Sequence, residues 1–195
     1  LAEVITVLEE VRDEFNSGLS RGKQVSFADV IVLAGNMGVE QAAERFGVEV
    51  SIPFTPGRVD AIEGSVNTAS WSVMEPRHDG FRNYMADLGF MSPSQALIDK
   101  ADMLNLTVSE MTVLLGGMRA MNANADGSDR GVLTDRPGVL SNDFFLNLLD
   151  MNTTWSPSSE AYVFEGRDRQ TGDLKWTATE FDLVFGSNSE LRAVA

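Results

Sequence analysis

Among the small hydroxylated residues that stand three positions ahead of an acidic or amide residue, four open apolar-rich runs that read as helices. The pairs are Ser26 with Asp29, Ser92 with Gln95, Thr107 with Glu110 and Ser187 with Glu190. At that spacing the first side chain can accept a hydrogen bond from a backbone N–H that a helix start leaves unpaired, while the later side chain reaches back. Pro93, directly behind Ser92, is pre-set for the first helical position. A chain punctuated this way is committed to helices, and the patterning between the caps agrees. Leu1, Val4, Leu8, Val11 and Phe15 recur at steps of three and four, which predicts an amphipathic helix closed by Gly18. No capping residue precedes Leu1, so this helix reads as starting mid-turn, cut from a longer chain. A second helix from Ser26 to Phe46, ended by Gly47, is expected to turn Phe27, Val30, Ile31, Leu33 and Ala34 inward. Two more follow Ser92 and Thr107, the latter running from Met111 to Met121. Phe144, Phe145, Leu148 and Leu149 mark a short apolar one. The helix opened at Ser187 stops at Ala195, too short to be stable alone.

Between these lie two loop-rich stretches, residues 48–91 and 122–141. Val50, Ile52 and Phe54 alternate only briefly before Pro53 and the turn Thr55-Pro56-Gly57-Arg58 interrupt them. Near the C-terminus the period changes. Tyr162 and Phe164, then Leu174, Trp176 and Ala178, alternate around Arg169-Gln170-Thr171-Gly172, which reads as a β-hairpin. The fold expected is mainly α with a small β-hairpin near the C-terminus, in a single domain over residues 1–195 that is truncated at both ends.

The chemistry is bounded by what the 195 residues lack. There are no cysteines, which excludes disulfides, thiolate catalysis and thiolate-ligated metals. The net charge of −14 repels nucleic acid and anionic membranes. No apolar run approaches a membrane span, and no charged-then-apolar leader opens the sequence. His78 is the only histidine, in a polar loop with no partners at nucleophile or metal-ligand spacing, and it reads as solvent-exposed. Asp126-Gly127-Ser128-Asp129 lacks the ligand alternation of a calcium loop and reads as a turn. Arg58, Arg82, Arg167 and Arg169 are candidates for carboxylate pairing. Met103, Met111, Met118 and Met121 fall near helical spacing and read as core.

Several stretches resemble a known family. Ser26 through Gly35 is similar to a helix of class I haem peroxidases. Pro53-Phe54-Thr55-Pro56-Gly57-Arg58-Val59-Asp60-Ala61 is closer to the catalase-peroxidases. So are the runs from Glu75 to Tyr84, from Asn142 to Met151, from Trp176 to Thr179 and from Asp182 to Ser189. The resemblance covers nearly the whole chain and implies the C-terminal, haem-free copy of a duplicated peroxidase domain. In the active copy a Gly-Gly-His-Thr pattern carries the histidine that binds haem iron. Here the matching run is Leu115-Gly116-Gly117-Met118-Arg119, so Met118 stands at the proximal histidine position and Arg119 follows. A charge there is costly unless it is paired.

The resemblance therefore implies a non-catalytic structural domain with no catalytic, cofactor-binding or metal-ligating residue of its own. Haem b belongs to the parent's N-terminal domain. The expected partners are that N-terminal domain of the same chain and a second copy in a homodimer, with no nucleic acid and no membrane. The setting is cytoplasmic removal of hydrogen peroxide in oxidative stress defence. The loops 48–91 and 122–141 are the expected contact surface. Two alternatives stay open: a haem protein that uses Met118, and a small-molecule or anion-binding module of peroxidase ancestry that uses arginines of the 48–91 loop.

Overall fold

The computed structural model describes residues 1–20, 22–62, 64–74, 78–84 and 91–195, with backbone only at residues 68 and 74. The chain divides into two compact units, Leu1–Glu75 and Pro76–Ala195.

The first unit holds α1 (Ala2–Ser17), α2 (Phe27–Phe46) and α3 (Thr68–Met74). α1 forms where its three-four periodicity places it and ends at Gly18, but it buries no residue. Of the predicted apolar stripe, Leu1, Val4, Val11 and Phe15 are more than half exposed and Leu8 is intermediate. α2 starts at Ser26, whose side chain accepts from the Asp29 N–H, and closes at Gly47, where φ is 90°. The left-handed conformation there favours glycine. Of its predicted inward residues only Val30 is buried; Phe27 and Ala34 are intermediate, and Ile31 and Leu33 are exposed. The buried line runs instead through Asp29, Val30, Ala42 and Ala43.

Asp29 is buried because it holds the loop after α2. Its carboxylate accepts from the Gly57 N–H at 2.8 Å and from Arg58 Nη1 at 2.9 Å. Asp60 returns the favour, accepting from the Phe27 N–H at 2.8 Å and the Ala28 N–H at 2.9 Å. The loop is thus tied to the first turn of the helix by two carboxylates, one from each side. These backbone donors hold both acids below the ordinary aspartate range, first through Gly57 for Asp29 and first through Phe27 for Asp60.

The second unit holds a 3-10 turn (Gly80–Arg82), α4 (Pro93–Met103), α5 (Val108–Ala120), α6 (Asp143–Leu148), β1 (Thr153–Pro157), β2 (Val163–Asp168), β3 (Leu174–Thr179), α7 (Glu180–Ser187) and α8 (Ser189–Val194). The capping boxes at Ser92 and Thr107 close as the spacing requires, and Thr179 with Asp182 forms a third. Ser92 accepts from the Gln95 N–H while Gln95 accepts from the Ser92 N–H, and Thr107 and Glu110 exchange the same pair of bonds. The core is built from Leu97, Met111, Leu115, Leu133, Phe144, Phe181 and Phe185. Met111 lies in it, but Met103, read as core from its spacing, is 68% exposed.

The predicted hairpin is present as β2 and β3, with Phe164 opposite Ala178 and Gly166 opposite Trp176. Asp168 stabilises its turn by accepting from the Gln170 and Thr171 N–H groups. A further strand, β1, pairs antiparallel with β2 and makes a three-stranded meander. The last helix starts one residue later than its spacing suggested: Asn188, not Ser187, accepts from the N–H groups of Glu190 and Leu191.

Candidate functional site

α5 carries the run Leu115-Gly116-Gly117-Met118-Arg119 into the heart of the second unit. Leu115 and Gly116 are buried. The glycine pair lets neighbours approach closely. A Cβ at Gly116 would lie 2.5 Å from Phe145 Cε2, and one at Gly117 would meet Leu140 Cδ1 at 3.3 Å. Gly116-Gly117 therefore serves helix packing. Met118 is partly buried and its side chain packs on the apolar core.

Among the described residues Arg119 is the largest fully buried side chain, with none of its surface exposed. All three guanidinium nitrogens donate. Nε donates to Asp182 Oδ1 at 2.6 Å, Nη1 to the Phe81 carbonyl at 2.5 Å, and Nη2 to the Gly80 carbonyl at 2.7 Å. Nη1 also reaches Asn124 Oδ1 at 3.4 Å. Asp182 is equally buried. Its second oxygen accepts from the Thr179 N–H at 2.7 Å and lies 2.9 Å from Thr179 Oγ1. The carboxylate thus caps α7 with one oxygen and neutralises Arg119 with the other.

Three segments converge on this pair, the 3-10 turn, the loop after α5 and the end of β3. The 3-10 turn is shaped by Asp79, which accepts from the Phe81 N–H and pairs with Arg82 Nε at 2.8 Å. That shape presents the Gly80 and Phe81 carbonyls to Arg119. Asn83 donates to the Arg130 carbonyl at 2.6 Å and accepts from Thr179 Oγ1 at 2.8 Å. The loop after α5 contributes Asn124, whose amide donates to the Ser128 and Arg130 carbonyls. It also contributes Gly131, where φ is 76° and a Cβ would fall 2.5 Å from Asp182 Oδ1. Only glycine satisfies both demands. The sequence had marked Arg119 as a charge needing a partner. Asp182, Asn83, Thr179 and Asn124 were not singled out, because a partner 63 positions away leaves no local pattern.

The other candidates are placed elsewhere. His78 is half-buried rather than solvent-exposed, just ahead of the 3-10 turn; Glu75, Pro76 and Arg77 of its motif lie outside the described residues. Asp126-Gly127-Ser128-Asp129 is a turn, with Asp126 Oδ1 accepting from the Ser128 N–H and φ of 71° at Gly127. Arg58, Arg82 and Arg167 pair with Asp29, Asp79 and Glu165 respectively, whereas Arg169 donates to the Met151 carbonyl. Among the described residues no grouping of three or more histidine or acidic side chains could hold a metal ion. No described helix is long and apolar enough to cross a membrane. A guanidinium supplies donors only and its carboxylate is already committed, so the Arg119 cluster is suited to fixing backbone geometry rather than to moving protons.

Comparison with known families agrees with the motifs. The peroxidase family's model matches residues 1–195, across both units. The chain belongs to the peroxidase family. Among its peroxidase relatives, Catalase-peroxidase 2 of Shewanella sp. (strain MR-4) is 58% identical over 196 residues, covering 100% of this chain and 26% of that protein. Catalase-peroxidase of Caulobacter sp. (strain K31) is 58% identical, with 27% of it covered. Catalase-peroxidase 2 of Legionella pneumophila (strain Lens) is 54% identical, with 26% covered. This peroxidase chain therefore spans about a quarter of the length of the curated relatives it matches.

Proposed function

We propose that this chain belongs to the C-terminal, haem-free domain of a catalase-peroxidase, a single peroxidase-like domain comprising both units. It is non-catalytic. It supports the haem b-containing N-terminal half of the same polypeptide, and a homodimer, in a cytoplasmic enzyme that removes hydrogen peroxide. The observation that carries this reading is the Arg119–Asp182 pair. Where a haem-binding copy places its proximal histidine, this chain has Met118, with its thioether against the apolar core. The next residue is a fully buried guanidinium bound to a carboxylate and two carbonyls. Haem does not fit these residues. The chain's only histidine, His78, lies outside α5, and the residue after Met118 is committed to a buried ion pair.

A supporting role needs surface to spend on a partner, and the first unit has it. α1 buries nothing. Val59, Ile62, Trp71 and Val73, all within the 48–91 stretch, are between 61% and 85% exposed. Scattered exposed apolar residues are ordinary, but a helix that buries none of its apolar stripe is not. The 122–141 loop supports the reading less than the sequence suggested. Its Val132, Leu133 and Thr134 are buried, so part of that loop serves its own core. By holding the haem half rigidly, such a surface fixes active-site geometry, and misplacements of about 1 Å cost on the order of a hundredfold in rate.

The test is made in the full-length parent. Trp71→Asp with Val73→Asp is expected to lower peroxide disproportionation at least tenfold while haem loading of the N-terminal half persists. Undiminished activity would remove this surface from the account.

A further inference from the structure

Arginine pairing in the second unit has a gap. Acidic residues outnumber basic ones 29 to 15 in this chain, so an arginine readily finds a carboxylate, and Arg82, Arg119, Arg130, Arg136 and Arg167 each do. Arg169 and Arg192 form no ion pair among the described residues. Arg169 uses Nε on the Met151 carbonyl at 2.9 Å, and Arg192 reaches the Gly186 carbonyl with Nη1 at 3.4 Å. One lies in the β2–β3 turn and the other on α8, yet both line the same cavity of about 280 Å³. Its apolar wall comes from Leu148, Met151, Trp155 and Leu183. Asp150 also lines it, but that carboxylate is committed to Lys175 at 3.3 Å and to the Asn152 N–H at 3.0 Å. The cavity thus joins an aromatic and aliphatic wall to two guanidinium groups with donors to spare, the combination that recognises a planar carboxylate on an apolar body. Its size suits a ligand somewhat smaller than those of drug-sized pockets.

We propose that this cavity binds a small monocarboxylate with an aromatic or branched apolar body. Arg169 and Arg192 hold the carboxylate, and the body lies against Trp155 and Leu183. This site is separate from the 48–91 loop and independent of the supporting role proposed above.

Calorimetric titration of the protein with benzoate, benzamide and acetate tests it. Benzoate is expected to bind saturably. Benzamide, which keeps the ring without the charge, and acetate, which keeps the charge without the ring, are each expected to bind at least about tenfold more weakly. Arg169→Gln and Arg192→Gln each weaken benzoate about tenfold or more, the scale of one lost charge-assisted hydrogen bond. Both arginines are exposed, so the melting temperature without ligand is expected to hold. Equal binding of benzamide and benzoate, unchanged benzoate affinity in the double variant, or no saturation in the millimolar range would overturn the proposal. Sedimentation velocity separates the remaining occupant. A wild-type dimer that both substitutions dissociate would put an acidic side chain of a second copy in the cavity, and would likewise overturn it.

Discussion

Arg119 Nε stands 2.6 Å from Asp182 Oδ1, with neither side chain exposed to any solvent. The two residues lie on α5 and α7, and between them they gather the 3-10 turn, the loop after α5 and the end of β3. Removing one partner leaves the other charge buried and alone. Asp182→Asn and Arg119→Met are each expected to destabilise the second unit by about 3–5 kcal/mol. Replacing both with apolar residues is expected to cost clearly less than the sum of the single changes. Equilibrium urea unfolding of the two single variants and the double variant measures the coupling.

The glycine pair on α5 makes a separate prediction. Gly116→Ala would place a Cβ against the Phe145 ring, and is expected to cost about 1–3 kcal/mol through overpacking. Adding Phe145→Leu, which withdraws the ring, is expected to recover part of that loss. An unaltered melting temperature in Gly116→Ala would show that the ring moves freely and that the close approach carries no energy.

Helix starts were the most legible part of the fold. Ser92 and Thr107 announced α4 and α5 because a capping box is a local device, complete within four residues. Ser92→Ala and Thr107→Ala are each expected to cost about 1 kcal/mol, read from thermal unfolding. What escaped the sequence escaped for physical reasons. β1 has no clean alternation and ends at Pro157, so its strand character comes from pairing with β2 rather than from its own pattern. α7 was hidden because its capping residue, Thr179, is also the last residue of β3. Met118 was legible as a core residue from helical spacing, whereas its place at the proximal histidine position came only through the family motif. The partner of Arg119 was not legible at all, nor was the meeting of Arg169 and Arg192 at one cavity, since tertiary folding alone brings those residues together. The inward face of α2 was misjudged at Ile31 and Leu33 because the helix turns its small residues, Ala42 and Ala43, inward at its far end.

The reciprocal carboxylates of the first unit predict an acid response. Asp29 and Asp60 titrate below the ordinary aspartate value in the folded chain. Their contribution is therefore fully present above the unfolded value, about 3.9, and is lost as pH falls through the lowered folded values. Amide protection at Gly57 and Phe27, measured against the intrinsic exchange rate at each pH, is expected to persist at neutral pH and to fall together below about pH 4. In Asp29→Asn, protection at Gly57 should already be low at neutral pH and respond less to acid. Fast exchange at both amides of the unaltered protein at neutral pH would contradict the tie between loop and helix.

The supporting role is tested most directly by mixing. The haem-containing half of the parent is produced alone, and its peroxide-disproportionation rate is measured with and without an excess of this chain. The account predicts a clear, saturable rise in rate on mixing, accompanied by formation of a complex. A complex that forms and leaves the rate unchanged would contradict the claim that this chain fixes the geometry of the haem-containing part.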